Sequence, residues 1–383
     1  MGASAAASGR QPCLALVLAA AVLLQGCTTP PNSSSTTPAP APVPTPSVGS
    51  GPSFLAVGDW GGHSDKHPTT SGQTETAVGM GKVAQTLGVD SIFMLGDNFY
   101  EAGVRTCSSP RFQETFEDVY GAQEPLKNLL FHVIAGNHDH LGSVDAQLAY
   151  NGSARWSFPA THYVLPKTWR SSSGERRSID FVFIDTVELL GNSDGEFGHR
   201  RGHEVRGPED PVRAEKKWAW LEQQLQSSTA DFLWVAGHYP IYSAGSDGTT
   251  SGLVTRLLPL LKAHGAHYLS GHDHMFEHLE HDGVHMFLAG AGRECCYADS
   301  RIGSVPQGAI KFMVSGDRGH GKSIGDRTTE DDVFGGFASL QFSDEHVQIS
   351  FHKQDGSLLH AAPPVPRRLQ ALHGRVQEPS IEV

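Results

Sequence analysis

Cysteine is scarce: the 383 residues contain five, and Cys13 and Cys27 lie in what reads as a leader, leaving Cys107, Cys295 and Cys296. Three thiols cannot close a complete disulfide framework, so stability has to come from a hydrophobic core. A bond from Cys107 to one of the pair, a bond between the two neighbours, and free buried thiols all stay open. Basic runs are missing too. The formal net charge is -12, and without a concentrated Lys/Arg surface the chain cannot displace the counterions of a phosphate backbone, which excludes a nucleic-acid partner. No apolar run is long enough to span a bilayer comfortably. The stretch 14–24, behind Arg10, has instead the length and place of the hydrophobic segment of a secretory signal. There is no internal repeat.

What is present begins with that leader. It ends Leu24-Gln25-Gly26-Cys27, which is similar to the lipobox of bacterial lipoproteins except for its glutamine. Residues 1–27 therefore read as an export signal. If it is a plain signal the protein is secreted; if it is of lipoprotein type, Cys27 tethers a cell-envelope protein to the membrane. Ser, Thr and Pro dominate residues 28–51, which bury too little to offset their ordering entropy and read as an extended linker. Residues 52–368 form a single domain, followed by a tail at 369–383. A hydrophobic content of 38% suffices for its core, and a monomer is expected. The 21 histidines raise the prospect of a metal site, since imidazole is the commonest metal ligand.

Short apolar runs at 54–57, 91–95, 131–135, 181–184, 232–236 and 267–269 each end in glycine or polar residues, as buried strands do. Helical spacing lies between them. In 211–226, Ala214, Trp218, Leu221 and Leu225 share one face, and 252–264 is a second such segment. Runs at 337–342 and 347–352 predict a C-terminal hairpin. The alternation implies an α/β architecture of layered sheets flanked by helices, with the functional site beyond the strand C-termini.

Five of those strand ends carry the same kind of residue. Gly58-Asp59-Trp60-Gly61-Gly62, Gly96-Asp97-Asn98-Phe99-Tyr100, Gly136-Asn137-His138-Asp139, Gly237-His238-Tyr239-Pro240 and Gly271-His272-Asp273-His274 each place a glycine before a potential metal ligand. A single Gly-Asp after a strand is more often a turn or a helix cap. Five in this order are a metal site.

At these motifs the sequence resembles the calcineurin-like metallophosphoesterases, and among them the mammalian-type purple acid phosphatases, over about residues 52–368. The resemblance extends to stretches without ligands: Ile184-Asp185-Thr186, Gly191-Asn192-Ser193-Asp194, Gly290-Ala291-Gly292 and Gly335-Gly336-Phe337-Ala338. It implies the metallophosphoesterase fold and an acid phosphatase acting on small phosphate monoesters. It places Asp59, Asp97, Tyr100 and His274 on Fe(III), with Asp97 bridging to a second metal held by Asn137, His238 and His272. Tyrosine titrates near 10, so binding it as phenolate calls for a strongly acidic cation such as ferric iron. The imidazole and amide site suits Fe(II), Zn or Mn. The cations outweigh Asp59, Asp97 and the Tyr100 phenolate, leaving a positive centre for an anion.

His138 is implied as the acid or charge stabiliser for the leaving alkoxide, with Asp139 either orienting it or shaping the turn. Asp247 stands where the mammalian-type enzymes carry a further active-site histidine, which makes it a second candidate proton donor. The family's usual disulfide matches Leu190 and Gly252 here, so that bond is absent. Residues 194–213 match a loop that restrains activity in those relatives, with a distinct sequence. Three other readings compete: a phosphodiesterase or nucleotide phosphatase, a silent binding protein on the scaffold, which would lack a ligand, and a secondary redox role.

Overall fold

The apolar runs become the central strands of two facing sheets. The computed structural model describes residues 51–193, 205, 207–316 and 333–368. The leader, the linker to residue 50, the tail from residue 369 and most of the 194–213 stretch lie outside them. The first sheet has eight strands, with Ser53–Val57, Ser91–Met94, Leu130–Val133 and Trp156–Ser157 parallel, and Gly336–Phe342 antiparallel against Ser53–Val57. The expected C-terminal hairpin forms from Gly336–Phe342 and His346–Lys353. The seven-stranded second sheet has Arg176–Phe183, Phe232–Ala236, His267–Ser270 and Val284–Ala289 parallel, flanked by antiparallel Tyr163–Arg170 and Phe276–His281, with Ile310–Val314 pairing antiparallel to Phe276–His281 at the edge.

One core lies between the sheets, where Phe54, Phe93, Phe181, Phe232, Phe287 and Phe351 meet. Helix Ser71–Leu87 covers the outer face of the first sheet through Ala77, Met80 and Val83. Helices Pro211–Ser227 and Ser251–His264 cover the second, the former through the Ala214, Trp218, Leu221 and Leu225 face read from the sequence. Among the described residues no helix is long and apolar enough to cross a membrane.

Cys295 and Cys296 are bonded to each other, which excludes both the free pair and a bond from either to Cys107. Leu190 and Gly252 do face one another: a Cβ on Gly252 would lie 2.5 Å from Leu190 Cδ2. An apolar contact occupies the place of the missing disulfide.

Candidate metal centre

Parallel strands deliver their C-terminal ends to one edge of the sandwich, and the five motifs follow those ends. Backbone bonds tie neighbouring motifs within each sheet, and one joins the two sheets. Gly58 N–H donates to Ala289 O at 2.8 Å, Asp59 N–H to Gly96 O at 3.0 Å, and Gly271 N–H to His238 O at 3.0 Å. Gly96, Gly136 and Gly271 keep space for candidate ligand side chains from neighbouring strands. A Cβ on Gly136 would lie 2.2 Å from Asp97 Oδ1, and one on Gly96, at φ 93°, would lie 2.6 Å from His238 Nδ1. Asp59, Asp97 and His272 are themselves left-handed, at φ 57°, 54° and 78°. Such backbone costs about 1–3 kcal/mol each and persists where surrounding contacts impose it, typically at functional sites.

The structure brings together all seven residues expected to bind metal. The Tyr100 oxygen lies 3.0 Å from Asp59 Oδ1, 2.9 Å from Asp97 Oδ2 and 3.0 Å from His274 Nε2. One hydroxyl proton cannot serve both carboxylates. His238 Nδ1–H donates to the Leu95 carbonyl at 2.8 Å, so in the neutral ring Nε2 turns a lone pair toward Asn137 Oδ1 at 2.9 Å. His238 Nε2 is also 3.4 Å from Asp97 Oδ1. Asp97 thus gives one oxygen to the tyrosine group and the other to the histidine and amide group. His272 joins through its main chain, donating to Asp59 Oδ2 at 2.7 Å, and through its ring, 5.1 Å from that of His238. Among the described residues, Asp59, Asp97 and His238 form the acidic and imidazole group whose donor atoms all lie within 4.8 Å of one another. This surplus of buried lone pairs fits a pair of cations.

Electrostatics agree. Burial opposes charge on His238 and His274, yet Asp97 raises the first to about 10, and Asp59 with Glu294 raises the second to about 9. The field there favours positive charge. Asp97 is held well below the usual carboxylate range because neighbouring imidazoles outweigh its burial. Burial and then Asp59 and Asp97 push Tyr100 well above its ordinary value, so a phenolate at this place needs a strongly acidic cation beside it. Burial lowers His272, which favours its neutral ring.

His138 borders the site. Its N–H donates to Asp97 Oδ1 at 3.0 Å, Nδ1–H donates to Glu101 O at 2.5 Å, and Nε2 lies 4.0 Å from Asp97 Oδ2. Asp139 accepts from the N–H groups of Gly136 and Asn98 and from Gln147 Nε2; these contacts fix the turn rather than His138. Asp247 sits on a loop that Asp273 holds, its carboxylate accepting from Asp247 N–H at 2.9 Å and Gly248 N–H at 3.0 Å.

Sequence reasoning passed over several supports. Asn192 Nδ2 donates to Asn137 O at 2.9 Å, giving the Gly191-Asn192 stretch a task beside the site. Glu294 accepts from His274 Nδ1 and Arg293 covers the Tyr100 ring. Their position just after Gly290-Ala291-Gly292 was the available signal. His140 Nε2 pairs with buried Asp185 at 2.8 Å.

The family model for calcineurin-like phosphoesterases matches residues 52–276. Tartrate-resistant acid phosphatase type 5 from Sus scrofa is 35% identical over 362 residues, covering 94% of this chain and 96% of the relative. The Homo sapiens protein of that name is 37% identical over 313 residues, covering 80% and 88%. Purple acid phosphatase 17 from Arabidopsis thaliana is 27% identical, covering 80% and 82%. Among solved structures, GAP50, the anchor in the inner membrane complex of Plasmodium, superposes with a TM-score of 0.66 at 25% identity, covering 83% of this chain and 89% of its own. The chain belongs to the calcineurin-like phosphoesterases, within the tartrate-resistant, purple acid phosphatase family.

Proposed function

We propose that Asp59, Asp97, Tyr100 and His274 hold Fe(III), that Asp97, Asn137, His238 and His272 hold a divalent metal (Fe(II), Zn or Mn), and that small phosphate monoesters are cleaved between them. Phosphomonoester hydrolysis at a binuclear metal centre follows from the family. The division of the metals rests on the two carboxylates and the imidazole gathered around the Tyr100 oxygen. Since GAP50 is an anchor on a related fold, fold alone does not decide catalysis, whereas this complete donor set supports it.

When bound, the metal pair supplies Lewis acidity toward the phosphoryl oxygens and the attacking water. The chain supplies the rest. Asp97 would bridge, a reading supported by its two oxygens lying one toward Tyr100 and the other toward His238. His138, with Nδ1 held by Glu101 O, presents Nε2 to the leaving group. Asp247, carried by the loop that Asp273 pins, is the second candidate donor. Export, as a secreted protein or as a lipoprotein through Cys27, rests on residues 1–27 of the sequence.

Metal analysis, a visible spectrum and hydrolysis of 4-nitrophenyl phosphate against bis(4-nitrophenyl) phosphate test the reading together. The expected protein contains iron, is purple or pink, and prefers the monoester; Tyr100→Phe bleaches it. A colourless wild type with two zinc ions, little iron and full activity would sink the ferric assignment. Preference for the diester would sink the substrate class.

A further inference from the structure

Two residues outside the ligand motifs close a ring of contacts on the tyrosine side of the centre. The Arg293 guanidinium lies 3.8 Å from the centroid of the Tyr100 ring. Its Nε and Nη2 donate to Glu294 Oε1 at 3.2 and 2.9 Å. The same oxygen accepts from His274 Nδ1 at 3.0 Å, and His274 Nε2 lies 3.0 Å from the Tyr100 oxygen. The circuit runs from Arg293 through Glu294, His274 and Tyr100 back to Arg293. It is anchored from behind: Arg293 Nη1 donates to Gly62 O at 2.9 Å, and Arg293 O accepts from Thr70 Oγ1 at 2.7 Å. Arg293 is only 9% exposed. A guanidinium is costly to bury unless it is paired, and the Tyr100 face and Glu294 provide its compensation.

We propose that Arg293 and Glu294 are positioning residues that set the electronic balance of the tyrosine-side metal, through Tyr100 and His274, in opposite directions. The inference rests on the ferric assignment made above. A fixed positive charge over a phenolate ring lowers the energy of the ring electrons, so moving one to iron takes more energy. The same charge favours the reduced, less positive metal. Glu294 acts the other way. By drawing on the Nδ1 proton it makes His274 a more basic ligand and fixes the ring's orientation, which favours the oxidised metal.

The test uses the full-length, iron-loaded protein with Arg293→Gln, Arg293→Lys and Glu294→Gln. Three quantities are read: the visible absorption maximum, the Fe(III)/Fe(II) midpoint potential by spectroelectrochemical titration, and iron retention against a chelator. Arg293→Gln should move the band to longer wavelength and lower the potential, and Arg293→Lys, which keeps a cation there, should restore most of both. Glu294→Gln should raise the potential and weaken iron retention about 10–100-fold, the usual cost of losing a carboxylate behind a ligand histidine. A merely structural role would not move the potential in opposite senses. If Arg293→Gln does not fold, the nearly isosteric Glu294→Gln carries the test alone. Potentials that move in the same direction, or remain unchanged at normal iron content, overturn the proposal. A wild type without iron or a visible band instead overturns the ferric assignment, and this inference with it, so the two failures look different.

Discussion

His138 meets the centre through main chain and ring together, and its hydrogen bonds decide how it can act. Nδ1–H is committed to the Glu101 carbonyl at 2.5 Å, so the ring can donate at Nε2 only as an imidazolium. An alkyl leaving group needs that proton, whereas an aryl one needs little. His138→Ala should lower kcat on alkyl esters about 10²–10⁴-fold, with a smaller loss on 4-nitrophenyl phosphate. If it cleaves alkyl esters at the wild-type rate and Asp247→Asn fails, the acid is Asp247. The candidate ligands were legible in the sequence because Asp59, Asp97, Asn137, His238 and His272 each follow a glycine at a strand end, with Tyr100 and His274 within four residues of such a glycine. Arg293, Glu294 and Asn192 lie in or just after stretches that the resemblance covers, but their tasks were not legible, because each acts by touching a residue distant in sequence.

Helix Ser71–Leu87 shows what sequence reading misses at the scale of an element. Gly72, Gly79 and Gly81 lie within it, and glycine disfavours helix by about 1 kcal/mol relative to alanine, so local propensity points away from the fold. Tertiary packing demands two of the three. A Cβ on Gly72 would lie 2.1 Å from Arg293 O, and one on Gly79 would lie 2.4 Å from Gln354 O, whereas one on Gly81 meets Gln123 Cβ at an ordinary 3.4 Å. Gly79→Ala should therefore destabilise by about 1–3 kcal/mol through overpacking, and Gly81→Ala should stabilise by up to about 1 kcal/mol. Urea midpoints of the two variants should move in opposite directions; a shared direction contradicts the packing. Strand Phe276–His281 was hidden differently. Its Glu277 and His278 look like surface residues but are buried, with Glu277 accepting from Ala244 N–H at 2.8 Å and His278 stacked on Phe287. Pro166 in Tyr163–Arg170 argues against a central strand, and the structure has it at a sheet edge.

At the scale of the whole molecule, buried acids and buried histidines give the stability opposing pH slopes. Burial lowers His267 and His278 to about 3, helped by His285 beside both. Their contribution is complete above the unfolded value near 6.5 and is lost as pH falls toward 3. Glu277 has the opposite sign: burial and then Asp273 raise it to about 8. Folded Glu277 keeps its proton where the unfolded chain has lost it. Its contribution is thus complete below about 4.5 and is lost as pH rises through 8. The buried acid favours the acidic range in which an acid phosphatase works, while the histidines set a floor to it. Glu277→Gln preserves shape and an acceptor for Ala244 N–H but cannot ionise. At pH 5 it should lie within about 1 kcal/mol of the wild type, and at pH 8 it should be more stable by roughly 4 kcal/mol, since a tenfold change in proton affinity corresponds to about 1.4 kcal/mol. Denaturant midpoints at the two pH values decide the matter: a displacement equal at pH 5 and pH 8 would mean that Glu277 contributes by packing and that its ionisation does not set the alkaline limb.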